Sequence, residues 1–103
     1  MNATAATLDL RRDLRVDVDA HAVRIETTLA LETATIVNIS RYGILVLTDA
    51  PAEVGAPIVL ELPAVGAVEA EIVWAKDGRV GCQFADPIEM LAYAELLIQL
   101  PRL

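Results

Sequence analysis

The sequence predicts a mainly β fold: a six-stranded antiparallel β-barrel with one C-terminal α-helix. Three observations predict it. Short apolar segments of strand length recur between turn residues from Val16 to Phe84. Asp77-Gly78 stands at the centre of "IVWAKDGRVGCQF" as the turn of a hairpin. Helix-start and helix-stop residues bracket "DPIEMLAYAELLIQLP" near the end of the chain. Closure into a barrel follows because hydrophobic residues make up 55% of the chain, and an open sheet so apolar would expose sticky edges. At 103 residues the chain builds one domain around a single core.

The elements follow in order. Residues 1–9 are small, polar and unpatterned, and are expected to form a flexible N-terminal arm, with the domain spanning residues 10–103. "RVDVDAHAVRIET" alternates from Val16 to Asp19 and changes phase near Ala22 and Val23, as a long strand with a bulge does. "ATIVNIS" reads as the second strand, with Thr35, Val37 and Ile39 on one face and Ile36, Asn38 and Ser40 on the other. The turn "SRYG" leads into the strand "ILVLT". After the loop "DAPAEVGA" come the strand "PIVLEL", the turn "PAVG" and the Asp77-Gly78 hairpin. A two-residue turn there pairs Lys76 with Arg79, Ala75 with Val80, Trp74 with Gly81 and Val73 with Cys82. Asp86 is the expected N-cap of a helix from Pro87 to about Gln99, with Ile88, Leu91, Ala94 or Glu95, and Ile98 at helical spacing, until Pro101 stops it.

Charge and composition narrow the function. Eight basic residues against fifteen acidic ones leave a net charge of -7, which repels long polyanions and argues against nucleic-acid binding. No apolar run approaches the ~20 residues of a membrane helix, so no membrane insertion is expected. The N-terminus has neither the basic start nor the apolar core of a secretion signal, which makes a cytoplasmic location the expectation. The single cysteine, Cys82, has no disulfide partner and falls at strand spacing as a small buried hydrophobe.

Catalytic machinery is not visible. His21 is the only histidine and reads as an ordinary strand residue, because one imidazole makes neither a triad nor a metal site. Asp17 with Asp19, and Glu69 with Glu71, share strand faces at a spacing a divalent ion could use, but a solvated barrel face is the better account. The glycines occur singly, without a phosphate-loop pattern. No metal and no cofactor are expected.

Two features remain. "RRDLR" gathers Arg11, Arg12 and Arg15, whose planar guanidiniums pair bidentately with phosphate oxygens and with the O6 and N7 of guanine. "NISRYG" offers the amide of Asn38, the hydroxyl of Ser40 and the bare backbone of Gly43, which permits a positive φ or the close approach of a ligand. Alone, the second segment is as readily a plain turn. Together the two suit a guanine nucleotide.

Arg11 and Arg15 as RxxxR, followed after one strand by Asn38, Ser40 and Gly43 as (D/N)xSxxG, resemble the PilZ domain family, and "IVWAKDGRVGCQF" resembles its later hairpin. The likeness runs from about Leu10 through "RVGCQFAD". It implies a six-stranded barrel that binds cyclic diguanylate, a bacterial second messenger. Arg11 and Arg15 would grip phosphate and guanine with Arg12 as a neighbouring helper, and Asn38, Ser40 and Gly43 would hold a guanine against the barrel. Asn38 stands where Asp is more usual, and an amide accepts fewer hydrogen bonds from guanine's N1–H and N2–H2 edge than a carboxylate. Trp74, facing a glycine outside the core, is either a stacking platform for the ligand or is packed under the helix. The resemblance implies a receptor, not an enzyme, that passes its signal to an unnamed effector protein as the arginine arm orders on the ligand. The other readings are a PilZ-fold interaction module that does not bind nucleotide and, second to it, an enzyme acting on a nucleotide.

Overall fold

The computed structural model describes residues 15–103, and the expectations placed on the arm, Arg11 and Arg12 lie outside the described residues. Six antiparallel strands form a closed barrel in the order β1-β2-β3-β6-β5-β4. They are β1 (Val16–Glu26), β2 (Leu31–Ile39), β3 (Gly43–Thr48), β4 (Pro57–Leu62), β5 (Gly66–Lys76) and β6 (Arg79–Phe84), followed by the helix α1 (Met90–Gln99). Closure is made by a short seam in which Ile25 pairs with Leu60 and Glu26 with Val59. The barrel interior is filled by β-branched and leucine side chains that alternate inward, among them Ile25, Ile36, Ile39, Val46, Leu60 and Ile72, all essentially without solvent contact. No helix among the described residues is long and apolar enough to cross a membrane.

Three irregularities set which residues face outward. In β1 the register shifts between Asp17 and His21, where β1 spends two more residues than β2 and Ala20 takes a φ of 49°. The irregularity therefore precedes Ala22 and Val23, where the apolar phase changes in sequence. In β2 it falls at Val37, because Ile36 pairs with Val46 and Asn38 with Leu45. The inward set is thus Ala34, Ile36 and Ile39, not Thr35, Val37 and Ile39. In β5 it falls at Val73: Cys82 pairs with Ile72 instead of Val73, while Trp74 with Gly81, Ala75 with Val80 and Lys76 with Arg79 pair as expected. The β2 and β5 bulges each insert one unpaired residue and the β1 irregularity two, and each changes which side chains face inward along its strand. The hairpin turn has the positive φ values of 53° at Asp77 and 79° at Gly78 that a type I′ turn needs.

The helix begins later than its sequence predicts, and with a different cap. Glu89, not Asp86, is the N-cap: its carboxylate accepts from the backbone N–H groups of Leu91 and Ala92, both at 3.1 Å. Those two bonds hold its pKa below the usual carboxylate value. Ile88 is what displaces the start. It is buried, and its N–H donates to the Arg41 carbonyl at 2.8 Å, so its backbone is held by the barrel rather than by a helical turn. The face is reversed too. Leu96 and Leu100 are buried with Tyr93 and Leu97 beside them, while Leu91 and Ile98, expected inward, point to solvent with Ile98 82% exposed. Beyond α1 the chain returns to β1, where the Asp19 N–H donates to the Pro101 carbonyl at 2.8 Å and Val18 bridges to Arg102.

Candidate ligand-binding face

An outward row of residues crosses five strands in unbroken register. Asp17 of β1 pairs with Asn38 of β2, Asn38 with Leu45 of β3, Leu45 with Gly81 of β6, and Gly81 with Trp74 of β5. Residues paired directly across strands share a face of the sheet. That face is the outer one, since Val18, Ile39, Ile44, Val46, Val80 and Cys82, the chain neighbours of row members, are buried. At about 4.8 Å per strand the row from Asn38 to Trp74 covers about 14 Å. Arg15 is exposed one residue before β1, at the Asp17 end of the row.

Gly81 and Trp74 form one unit. A Cβ at Gly81 would lie 2.2 Å from the indole Nε1 and 2.6 Å from Cε2, so the ring rests directly on the glycine backbone. Gly81 has no positive φ and is glycine for the sake of the ring. Trp74 remains 44% exposed, with its other surface toward solvent, which places it on the outer wall of the hairpin and resolves its two readings against burial under the helix.

Asn38 faces outward as expected, but Ser40 does not. Ser40 is only 4% exposed, and its hydroxyl oxygen accepts from the N–H groups of Tyr42 at 3.1 Å and Gly43 at 3.3 Å. It shapes the turn, and only its O–H is left to donate. Ser40 lies just past the end of β2, where the turn to Gly43, and not strand alternation, sets its direction. Gly43 has an ordinary negative φ, and the close approach it permits is internal: a Cβ there would lie 2.5 Å from the Cys82 carbonyl oxygen.

The turn is bound to the C-terminal segment by four tertiary hydrogen bonds. The Phe84 N–H donates to the Tyr42 carbonyl at 2.9 Å, and the Ile88 N–H to that of Arg41 at 2.8 Å. Arg41 Nε donates back to the Ile88 carbonyl at 2.8 Å, with its guanidinium 5.7 Å from the Tyr42 ring centre. The Tyr93 hydroxyl, whose pKa is raised by burial, donates to the Ile39 carbonyl at 3.3 Å. Cys82 lines the interior, and burial pushes its thiol up to about 12, so it is no nucleophile near neutral pH.

A cleft of about 630 Å³ is lined in part by Glu26, Glu69, Glu71, Thr27 and Thr28. Its three carboxylates oppose a phosphate-bearing ligand, which leaves the outer row as the better surface for one. Leu45 and Gly81 belong to that row although the binding motifs do not include them. The hairpin pairing signals Gly81 in advance, whereas nothing in the sequence singles out Leu45, a leucine within an apolar strand.

A model of the PilZ domain family matches residues 9–100. The chain belongs to the PilZ domain family. Curated protein sequences give no match. Among solved structures the PilZ chain is similar to the Borreliella burgdorferi PlzA protein in complex with c-di-GMP, at 14% sequence identity and a TM-score of 0.63. That likeness covers 89% of this chain and 43% of PlzA, so this chain spans less than half of the protein it resembles. At such low identity it speaks for the fold, which here is the six-stranded barrel with its helix.

Proposed function

We propose that this chain is a receptor for cyclic diguanylate (c-di-GMP) and acts without chemical change to it. The observation that carries the proposal is the outer row itself. Asn38, from one motif, and Trp74, from the hairpin, share one face, with Arg15 of the other motif at its end. A ligand with two bases can use both ends of such a row, one base at the Asn38 edge and one on the indole. Membership of the PilZ family and the likeness to PlzA, itself in complex with c-di-GMP, support the choice of ligand.

In this reading Arg11, Arg12 and Arg15 grip the phosphates and a guanine edge through bidentate, charge-assisted bonds, which are about twice as strong as neutral ones. Asn38 reads a guanine edge. Ser40 and Gly43 set the turn beside it, and the serine hydroxyl keeps one hydrogen to donate. The arm takes its bound shape around the ligand, and a partner protein in the cytoplasm reads the surface so formed. Titration calorimetry with c-di-GMP tests the whole reading. Saturable binding is expected, with Arg15→Ala at least tenfold weaker, about 1.4 kcal/mol. Undiminished affinity in that variant would remove the arginine from the site. Absence of any binding to the wild-type protein would favour a constitutive interaction module.

A further inference from the structure

We infer that Asp17 is a further specificity-determining residue, whose carboxylate reads the N1–H and N2–H2 edge of the guanine that Asn38 holds. The inference rests on the c-di-GMP reading above. Asn38 supplies one carbonyl oxygen as acceptor, whereas that guanine edge presents two donors side by side. A carboxylate accepts both at once. Asp17 pairs directly with Asn38, which sets their Cβ atoms about 5 Å apart on the same outer face. Asp17 is exposed, and its carboxylate takes part in no hydrogen bond or ion pair with another described residue.

Val16 pairs with Ile39 and Asp17 with Asn38 immediately before the β1 register shift. Asp19, two residues on, falls inside that irregularity and has no partner in β2. The two aspartates are therefore unequal, although they alternate identically in sequence. A purely electrostatic account predicts the reverse of the specific one, because removing any carboxylate should favour an anionic ligand.

The test compares c-di-GMP with cyclic di-inosine monophosphate, whose bases lack the N2 amine, by calorimetry on the full chain. The wild-type protein should prefer the guanine ligand. Asp17→Ala should bind c-di-GMP about tenfold more weakly and lose the preference, whereas Asp19→Ala should keep both. Adding Asn38→Asp to Asp17→Ala returns a carboxylate to the neighbouring position and should restore the preference. An unchanged preference in Asp17→Ala, tighter binding by it, or failure of the double variant to regain the preference would each overturn the role of Asp17. Wild-type protein that binds neither ligand would instead sink the c-di-GMP reading, and this inference with it.

Discussion

Two glycines hold the outer face, and they are glycine for different reasons. Gly43 lies against the Cys82 carbonyl, part of the β3–β6 ladder, whereas Gly81 lies under the Trp74 indole. A side chain at the first position meets backbone that cannot yield without opening the barrel. At the second it meets a half-exposed ring that can swing away. The turn beside Gly43 is fixed by bonds to Phe84, Ile88 and Tyr93, and the hairpin that carries Trp74 by the local chemistry of Asp77-Gly78. One end of the candidate site thus depends on the fold of the whole chain. The other depends on a dozen residues around one turn.

Substitutions at the two ends should separate these dependences. Gly43→Ala should cost the most, about 3 kcal/mol, the upper part of the range for overpacking, since rigid backbone is the obstacle. Denaturant unfolding would show it as a lower midpoint, and an unshifted midpoint would mean that the β3–β6 contact relaxes freely. Arg41→Ala comes next. It leaves the part-buried Ile88 carbonyl without its donor, and about 1–2 kcal/mol of stability should go with the tie between turn and helix leader. Hydrogen exchange at Leu91 and Ala92 should rise in that variant, and protection equal to wild type would contradict the coupling.

Gly81→Ala should move stability least, about 1 kcal/mol, the lower end of the range for overpacking, since the half-exposed ring can swing off the added methyl. The single tryptophan should nevertheless report it, with emission shifted toward that of a solvated indole. Unaltered emission would mean that the ring does not rest on Gly81.

The division between local and non-local control also explains what the sequence reveals. The hairpin of β5 and β6 could be paired almost residue by residue because its turn signal and its partners are neighbours in the chain. Strand number and barrel closure were legible for the same reason, from short apolar segments and their turns. The bulge at Val37 has no composition signal, so simple alternation assigns Ile36 to the outer face and misses that it is buried. Ser40 is misassigned because it lies past the end of β2 and its hydroxyl accepts from the turn N–H groups of Tyr42 and Gly43. Asn38 keeps its outward position because the bulge precedes it. The helix start was hidden by Ile88, whose backbone is claimed by Arg41, 47 residues away. Its inward face was not legible either, since α1 is apolar nearly all round and Leu91 with Ile98 matches helical spacing as well as Leu96 with Leu100 does. Only packing against the barrel chooses between them.

The central claim is that c-di-GMP lies along the outer row and reaches the indole of Trp74. The most direct measurement is a c-di-GMP titration followed by the emission of that single tryptophan, with equilibrium dialysis run in parallel. The account predicts a saturable change in emission with the same dissociation constant as dialysis. Ligand bound to saturation by dialysis, with the tryptophan emission unaltered, would contradict it.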